Sequence, residues 1–441
     1  MTLLRTARTY HRTFPGPSRL RPGPLFLLLV AAAALGCTDS AAGQEPAGEA
    51  GAYDTGIYHN LFSELLHKDG KEIEARIDAA WFQLFFGDSS SQRVFYPVSG
   101  EMAYIEDIAN EDVRTEGMSY GMMIAVQRDK KNEFDRLWKW AKTFMQFNEG
   151  PHRGYFAWHC RTDGEKLDST AASDGEEWFV MALFFAAARW GNGNGMFDYA
   201  AEAREILNTM LHKESEPGHG TVTNMFNSRE HLVAFVPSSR ANFFTDPSYQ
   251  LPHYYELWAR WAAQDNGFWC EAAAASRRLL QASANPETGL APDYAAFDGT
   301  PLKSRPGGHD DFRFDAWRVA MNTAVDWAWF AKDRWEVEES NRLLRFFHSR
   351  GMSSYVNQFT LEGKPLSADH SRGLVAMNAV AALAATDTLR AEFVRALWDT
   401  DIPAGRYRYY DGLLYLLAML HVSGNFKLYD PTGRHVQACP H

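Results

Sequence analysis

Cysteine is scarce, with four in 441 residues and no Cys-x-x-Cys pair, which removes zinc-ribbon and dithiol redox chemistry. Positive charge is also in short supply. Lys and Arg number 44 against 55 Asp and Glu, a formal charge of −11. Residues 1–36 hold five Arg and no Lys, Asp or Glu, so the remainder is more acidic still. Such a surface repels phosphate, and nucleic acid is not an expected partner. No apolar run reaches the ~20 residues of a spanning helix. Period-two alternation is rare, which argues against an all-β fold. Aromatic residues, in contrast, are abundant: 14 Trp, 18 Tyr and 29 Phe, 14% of the chain. That load can fill a large core or line a groove that stacks flat ligands.

The N-terminus reads as an address. Arg5, Arg8, Arg12, Arg19 and Arg21 precede an apolar run from Leu25 to Leu35, followed by Gly36-Cys37. A positive flank, a short hydrophobic stretch and a small residue before a cut are the export-signal pattern. A Cys at the cut is similar to the bacterial lipoprotein box, with Ala34 where that box prefers Leu. The expected organisation is a signal peptide over 1–36, lipidation and membrane anchoring at Cys37, and a flexible tether over 37–54. One folded domain over 55–441 is expected to follow. The protein is expected in the periplasm or cell envelope, or secreted, as a monomer. Three cysteines remain, Cys160, Cys270 and Cys439, so within one chain at least one thiol stays free.

Apolar residues recur at three- and four-residue spacing through most of the chain. The spacing predicts twelve helices, over 72–86, 117–128, 133–147, 176–190, 197–213, 249–263, 267–284, 314–331, 335–350, 371–385, 387–400 and 410–423. Long irregular loops lead into the second, fourth, sixth, eighth and tenth, whereas most links out of them are short. Helical hairpins connected in this way close into an all-α (α/α)6 barrel, six helices inside and six outside. Inner helices should be apolar all round. The runs Trp178-Phe179-Val180-Met181 and Leu413-Leu414-Tyr415-Leu416-Leu417 fit that place, while 200–213 and 335–350 mix charge with apolar residues as outer helices would.

The unusual polar and aromatic residues gather where the even-numbered helices start. Thr115-Glu116-Gly117 opens the second, Ser173-Asp174-Gly175-Glu176 the fourth and Asp246-Pro247-Ser248-Tyr249 the sixth. Phe314-Asp315-Ala316-Trp317-Arg318 opens the eighth, Asp369-His370-Ser371-Arg372 the tenth and Tyr409-Tyr410-Asp411-Gly412 the twelfth. In a ring of parallel inner helices these starts share one end and line one bowl. Each acid has an ordinary alternative as a helix cap, and Asp315 has one as an ion-pair partner of Arg318. Glu116 stands among Met118, Tyr120, Met122 and Met123, surroundings that desolvate a carboxyl and keep it protonated, as a proton donor requires. Trp158 and His159 precede the fourth helix as either a core plug or a sugar-stacking platform. His370 is either a capping residue or a ligand contact. Asp326, far down its helix, reads as a buried ion-pair member.

These segments, in this order, resemble glycoside hydrolase family 8 over roughly residues 55–425. Within the family they are most similar to the reducing-end xylose-releasing exo-oligoxylanases. The resemblance implies an inverting hydrolase with Glu116 as general acid, Asp315 as general base, Asp174 holding the sugar at the scissile bond, and Tyr249 helping to hold the attacking water. Trp158, His159, Arg318, His370, Arg372 and Tyr410 are the further expected contacts to a xylo-oligosaccharide. The chemistry requires neither metal nor cofactor. The loop 361–372, with His370 and Arg372, is the expected wall behind the site of xylose release. Alternatives are an endo-xylanase, endoglucanase or chitosanase on the same fold, a non-catalytic sugar-binding lipoprotein, and a polysaccharide lyase.

Overall fold

A computed structural model describes residues 50–98, 100–303, 307–433 and 439. Residues 1–49, including the expected signal segment and Cys37, lie outside the described residues. Two short helices, Ala52–Thr55 and Leu61–Leu66, precede twelve longer ones. We number these twelve α1 (Gly70–Phe86), α2 (Thr115–Gln127), α3 (Lys131–Trp140), α4 (Ser173–Trp190), α5 (Tyr199–His212), α6 (Pro252–Trp261), α7 (Asn266–Ser283), α8 (Trp317–Phe330), α9 (Trp335–Ser349), α10 (Arg372–Ala381), α11 (Arg390–Asp399) and α12 (Arg408–Val422). All match the expected helices, with shifted ends.

The shifts have local causes. The sixth helix starts at Pro252 rather than 249, because Asp246 accepts a 2.7 Å hydrogen bond from Ser248 N and caps a separate 3-10 turn over Pro247–Tyr249. Pro252, whose missing N–H costs nothing at a first helical position, then begins α6. The third loosens into a π turn at Ala141–Met145. Four two-stranded antiparallel pairs escape the periodicity, being only two or three residues per strand. One matters to the site: Val113–Arg114 pairs with His159–Cys160, with Arg114 opposite His159.

Even-numbered helices form an inner ring. α2 packs on α4, α8 on α6 and α10, and α12 on both α10 and α2. α4 meets α6 through the Trp178–Tyr254 edge contact and a hydrogen bond from the Tyr255 hydroxyl to the Glu177 carboxylate. Each odd-numbered helix from α3 to α11 backs the inner helix before it, and α1 backs α12. This is the (α/α)6 barrel. Burial follows the apolar pattern: Ser173–Ala186 of α4 and Gly412–Val422 of α12 are buried throughout. On α2 every residue is buried except Glu116.

The floor of the barrel lies at the other ends of these helices. There Tyr53 stacks on Phe330, the last residue of α8, with ring centroids 5.4 Å apart. The Gly51 backbone lies so close to the Trp329 carbonyl that no side chain fits. Residues 50–54, at the end of the segment expected to be a tether, thus touch the barrel. Cys270 on α7 is disulfide-bonded to Cys439, and Cys160 is free and buried. Asp326 is the expected ion-pair member, held by Arg277 at 2.6 and 2.9 Å.

Candidate active site

The starts of the inner helices meet around one guanidinium. Arg318, in the first turn of α8, has a side chain 2% exposed. Its Nη1 donates to Glu116 Oε2 at 3.2 Å, Asp174 Oδ2 at 2.9 Å and the Tyr120 hydroxyl at 2.8 Å. Its Nη2 donates to Asp315 Oδ1 at 3.0 Å. Three carboxylates, two from the first turns of α2 and α4 and one from the turn before α8, therefore share one buried cation. Arg318, expected among the sugar contacts, is buried and bonded to these carboxylates and to Tyr120.

One positive charge is shared by three carboxylates, of which Asp174 is buried and Glu116 nearly so. Burial, reinforced by the charges of Asp174 and Asp315, pushes Glu116 up to about 7 despite the pull of Arg318. Burial also raises Asp174, with Arg318 opposing it. Glu116 keeps an opening to the bowl, with 17% of its side chain exposed. Tyr409, from the start of α12, donates to Glu116 Oε1 at 3.0 Å. Gly117 makes that approach possible, since a Cβ there would sit 2.4 Å from the Tyr409 ring. Asp315 is the most open of the three, 35% exposed, and so accessible to water.

The shared partner sets an upper limit on the separation of the two key acids. Both bond to one planar guanidinium, at 3.2 and 3.0 Å, which limits the gap between their nearest oxygens to roughly 8–9 Å. Inverting glycosidases place their carboxyls about 6.5–9.5 Å apart, leaving room for a water on the far side of the sugar. Glu116 can hold a proton for the leaving oxygen, and Asp315, ion-paired with Arg318, can take one from water. Tyr249 lies beside this pair, its ring 5.6 Å from the guanidinium carbon and stacked on Phe235.

The remaining expected contacts ring the bowl. The pairing of 113–114 with 159–160 brings Trp158 and His159 to the start of α2, where Thr115 N donates to the Trp158 carbonyl at 2.9 Å. Trp158 is half-buried and stacks on His159 at 3.7 Å; the buried plug under this loop is Phe156. His159 Nδ1 bonds Asp112 at 3.1 Å. Tyr410 donates to the Phe314 carbonyl, one residue before Asp315, at 3.0 Å. His370 is exposed and its Nδ1–H donates to the Tyr355 carbonyl at 2.7 Å, which leaves Nε2 of the neutral ring as an acceptor. Arg372 faces Asp401 at 3.8 Å, with 42% of its side chain exposed.

Some participants were not singled out from sequence. Tyr120 lies one turn after Glu116 on the same helix face, a spacing that could have assigned it. Tyr409 stood in a quoted motif without a role. Asp246 is buried and close to Asp315, and burial together with that charge pushes its carboxyl well up. Asp293, in the loop before α8, accepts from Ala316 N at 3.2 Å and pairs with His309 at 3.2 Å. Burial pushes Asp293 up to about 6, and its hydrogen bond raises His309. No sequence spacing marks that pair.

Comparison with known proteins identifies the family. Residues 100–424 match the family described as Glycosyl hydrolases family 8. The chain is 49% identical over 385 residues to the reducing-end xylose-releasing exo-oligoxylanase Rex8A of Paenibacillus barcinonensis, covering 86% of this chain and 98% of that one. The structure of Rex8A complexed with xylose superposes with a TM-score of 0.82 at 48% identity, over 86% of this chain and 99% of that one. A family 8 xylanase from Teredinibacter turnerae, a catalytic mutant in complex with xylohexaose, gives a TM-score of 0.83 at 46% identity, over 86% and 100%. The chain belongs to glycoside hydrolase family 8.

Proposed function

We propose that this enzyme hydrolyses β-1,4-linked xylo-oligosaccharides with inversion, releasing xylose from the reducing end. The observation that carries the chemistry is the shared Arg318, which brings Glu116 and Asp315 to one site, their bonded oxygens no more than roughly 8–9 Å apart. Glu116 protonates the leaving oxygen. Asp315 deprotonates the water that attacks the anomeric carbon from the other face, with Tyr249 helping to hold it. Asp174, fixed by Arg318, positions the sugar at the bond cut. The xylose-releasing mode draws on the likeness to Rex8A. Xylohexaose labelled at its reducing end tests it: labelled xylose should be the first product. Labelled xylobiose or longer fragments appearing first would instead support endo cleavage.

Export and lipidation at Cys37 are part of the same proposal. Their support is the Arg-flanked apolar run ahead of Cys37 and the Cys270–Cys439 disulfide, a bond that persists in oxidising compartments. Labelled palmitate should enter the wild-type chain and be absent from C37A, which should leave the membrane fraction. Equal partitioning of both would remove the anchor. A monomer is proposed as well, to be checked by light scattering.

A further inference from the structure

The loop 361–372, expected from the sequence to be the wall at the reducing end, ends in a segment whose fastening converges on one side chain. Asn357 is 3% exposed, and all four of its polar groups are engaged. Its N–H donates to the Asp369 carbonyl at 2.8 Å. Its Oδ1 accepts from Ser367 Oγ at 2.6 Å, and its Nδ2 donates to Ser371 Oγ at 2.6 Å. Its carbonyl accepts from the Trp317 indole at 3.0 Å. Trp317 stands two residues after Asp315 and packs against Tyr410 at 5.7 Å.

The three loop contacts bracket His370, and the fourth reaches the turn that carries the general base. Ser371 is the N-cap position of α10, yet its side chain makes no cap bond within its own helix. It is engaged by Asn357, and Asp411 of α12 takes over the capping, accepting from Gly373 N at 3.0 Å. A Cβ at Gly373 would lie 2.7 Å from that carboxylate oxygen and 3.2 Å from the Trp317 ring, so the start of α10 is pressed into this corner. Elsewhere the loop is pinned by an antiparallel bridge from Phe359 to Phe312 and another to Pro365. Without Asn357, nothing described ties the Ser367–Ser371 side chains to the base-bearing turn.

We propose that Asn357 is a positioning residue for product specificity: it fixes the segment bearing His370 at a set distance from Asp315, and so sets how many sugars fit beyond the scissile bond. The inference rests on the reading of 361–372 as the reducing-end wall, and the experiment separates the two. Reducing-end-labelled xylohexaose is digested by wild type, N357A, N357D, S367A and a variant with residues 362–365 deleted. N357A should raise labelled xylobiose and longer fragments relative to labelled xylose by about tenfold, the scale expected when one or two ordering hydrogen bonds are lost. Its kcat/KM on an aryl xylobioside, whose leaving group does not reach the wall, should change by less than about twofold. N357D keeps an acceptor for both serine hydroxyls and should retain the wild-type pattern. S367A removes one bond at a half-buried site and should move products in the same direction, less far; it decides the matter should N357A not fold. A changed pattern in the deletion variant with an unchanged one in N357A and S367A leaves the wall standing and overturns the role of Asn357. An unchanged pattern in all of them overturns both. A uniform loss of activity in N357A with its product ratio intact assigns Asn357 to stability alone and also overturns the inference.

Discussion

Replacing Glu116 by Gln should stabilise the protein in alkaline solution while removing its activity. Glu116 is pushed up to about 7 from an ordinary 4.5, chiefly by burial. Between those values the folded protein binds a proton that the unfolded chain has released. Stability therefore falls as pH rises from about 4.5 and levels off above about 8. Each pH unit is worth about 1.4 kcal/mol, so the charged carboxylate costs the fold up to about 3 kcal/mol at pH 8.5. Its 17% exposure relieves part of this, and about 1–3 kcal/mol is the working range. Gln has nearly the same shape, can accept from Arg318 through its amide oxygen and donate its NH2 to the Tyr409 hydroxyl, and does not titrate. Urea denaturation of both proteins at pH 5 and pH 8.5 gives a difference of differences in which other titrating groups cancel. The E116Q advantage should grow by that 1–3 kcal/mol on going to pH 8.5. A gain no larger at pH 8.5 than at pH 5 would mean that Glu116 is not held protonated, and the physical basis for its role as proton donor would fail.

Three other outcomes follow from the same geometry. Asp174 and Glu116 bond to one Arg318 nitrogen, so D174N, which removes a repelling charge, should move the alkaline limb of kcat/KM from near pH 7 down by about one unit; an unmoved or raised limb contradicts the coupling. D315N should lose at least about a thousandfold in kcat, with oligosaccharide affinity by calorimetry within a few-fold of wild type; near-native turnover would remove Asp315 as base. C439S should lower unfolding stability by about 2–4 kcal/mol without altering kcat, because the Cys270–Cys439 bond closes a long loop far from the bowl; equal urea midpoints would show that the bond constrains little.

Much of the barrel was legible because its inner helices obey an unusual rule. A helix buried on every side carries an unbroken apolar run, as at 178–185 and 412–420, and only the residues at its start are free to be polar. That contrast pointed to Glu116, Asp174 and Asp315 despite their distance along the chain. Less legible was what a carboxylate's neighbours do. Arg318 is i+3 from Asp315, which sequence could see, but its bonds to Glu116 and Asp174 come from the ring closure and have no local signature. The same holds for Asp293 with His309 and for the four contacts of Asn357, which join loops whose register no periodicity encodes. Cysteine parity left one thiol unpaired without saying which, and the Cys270–Cys439 bond leaves Cys160 as the free one.

The entry of the chain at the floor has its own consequence. Tyr53 and Gly51 meet α8 at Phe330 and Trp329, whereas the reactive carboxylates crowd the opposite pole. Stripping the Tyr53 ring from the foot of α8 would loosen the barrel at its base while leaving the carboxylates at the rim in place, so durability and turnover would part company in such a variant.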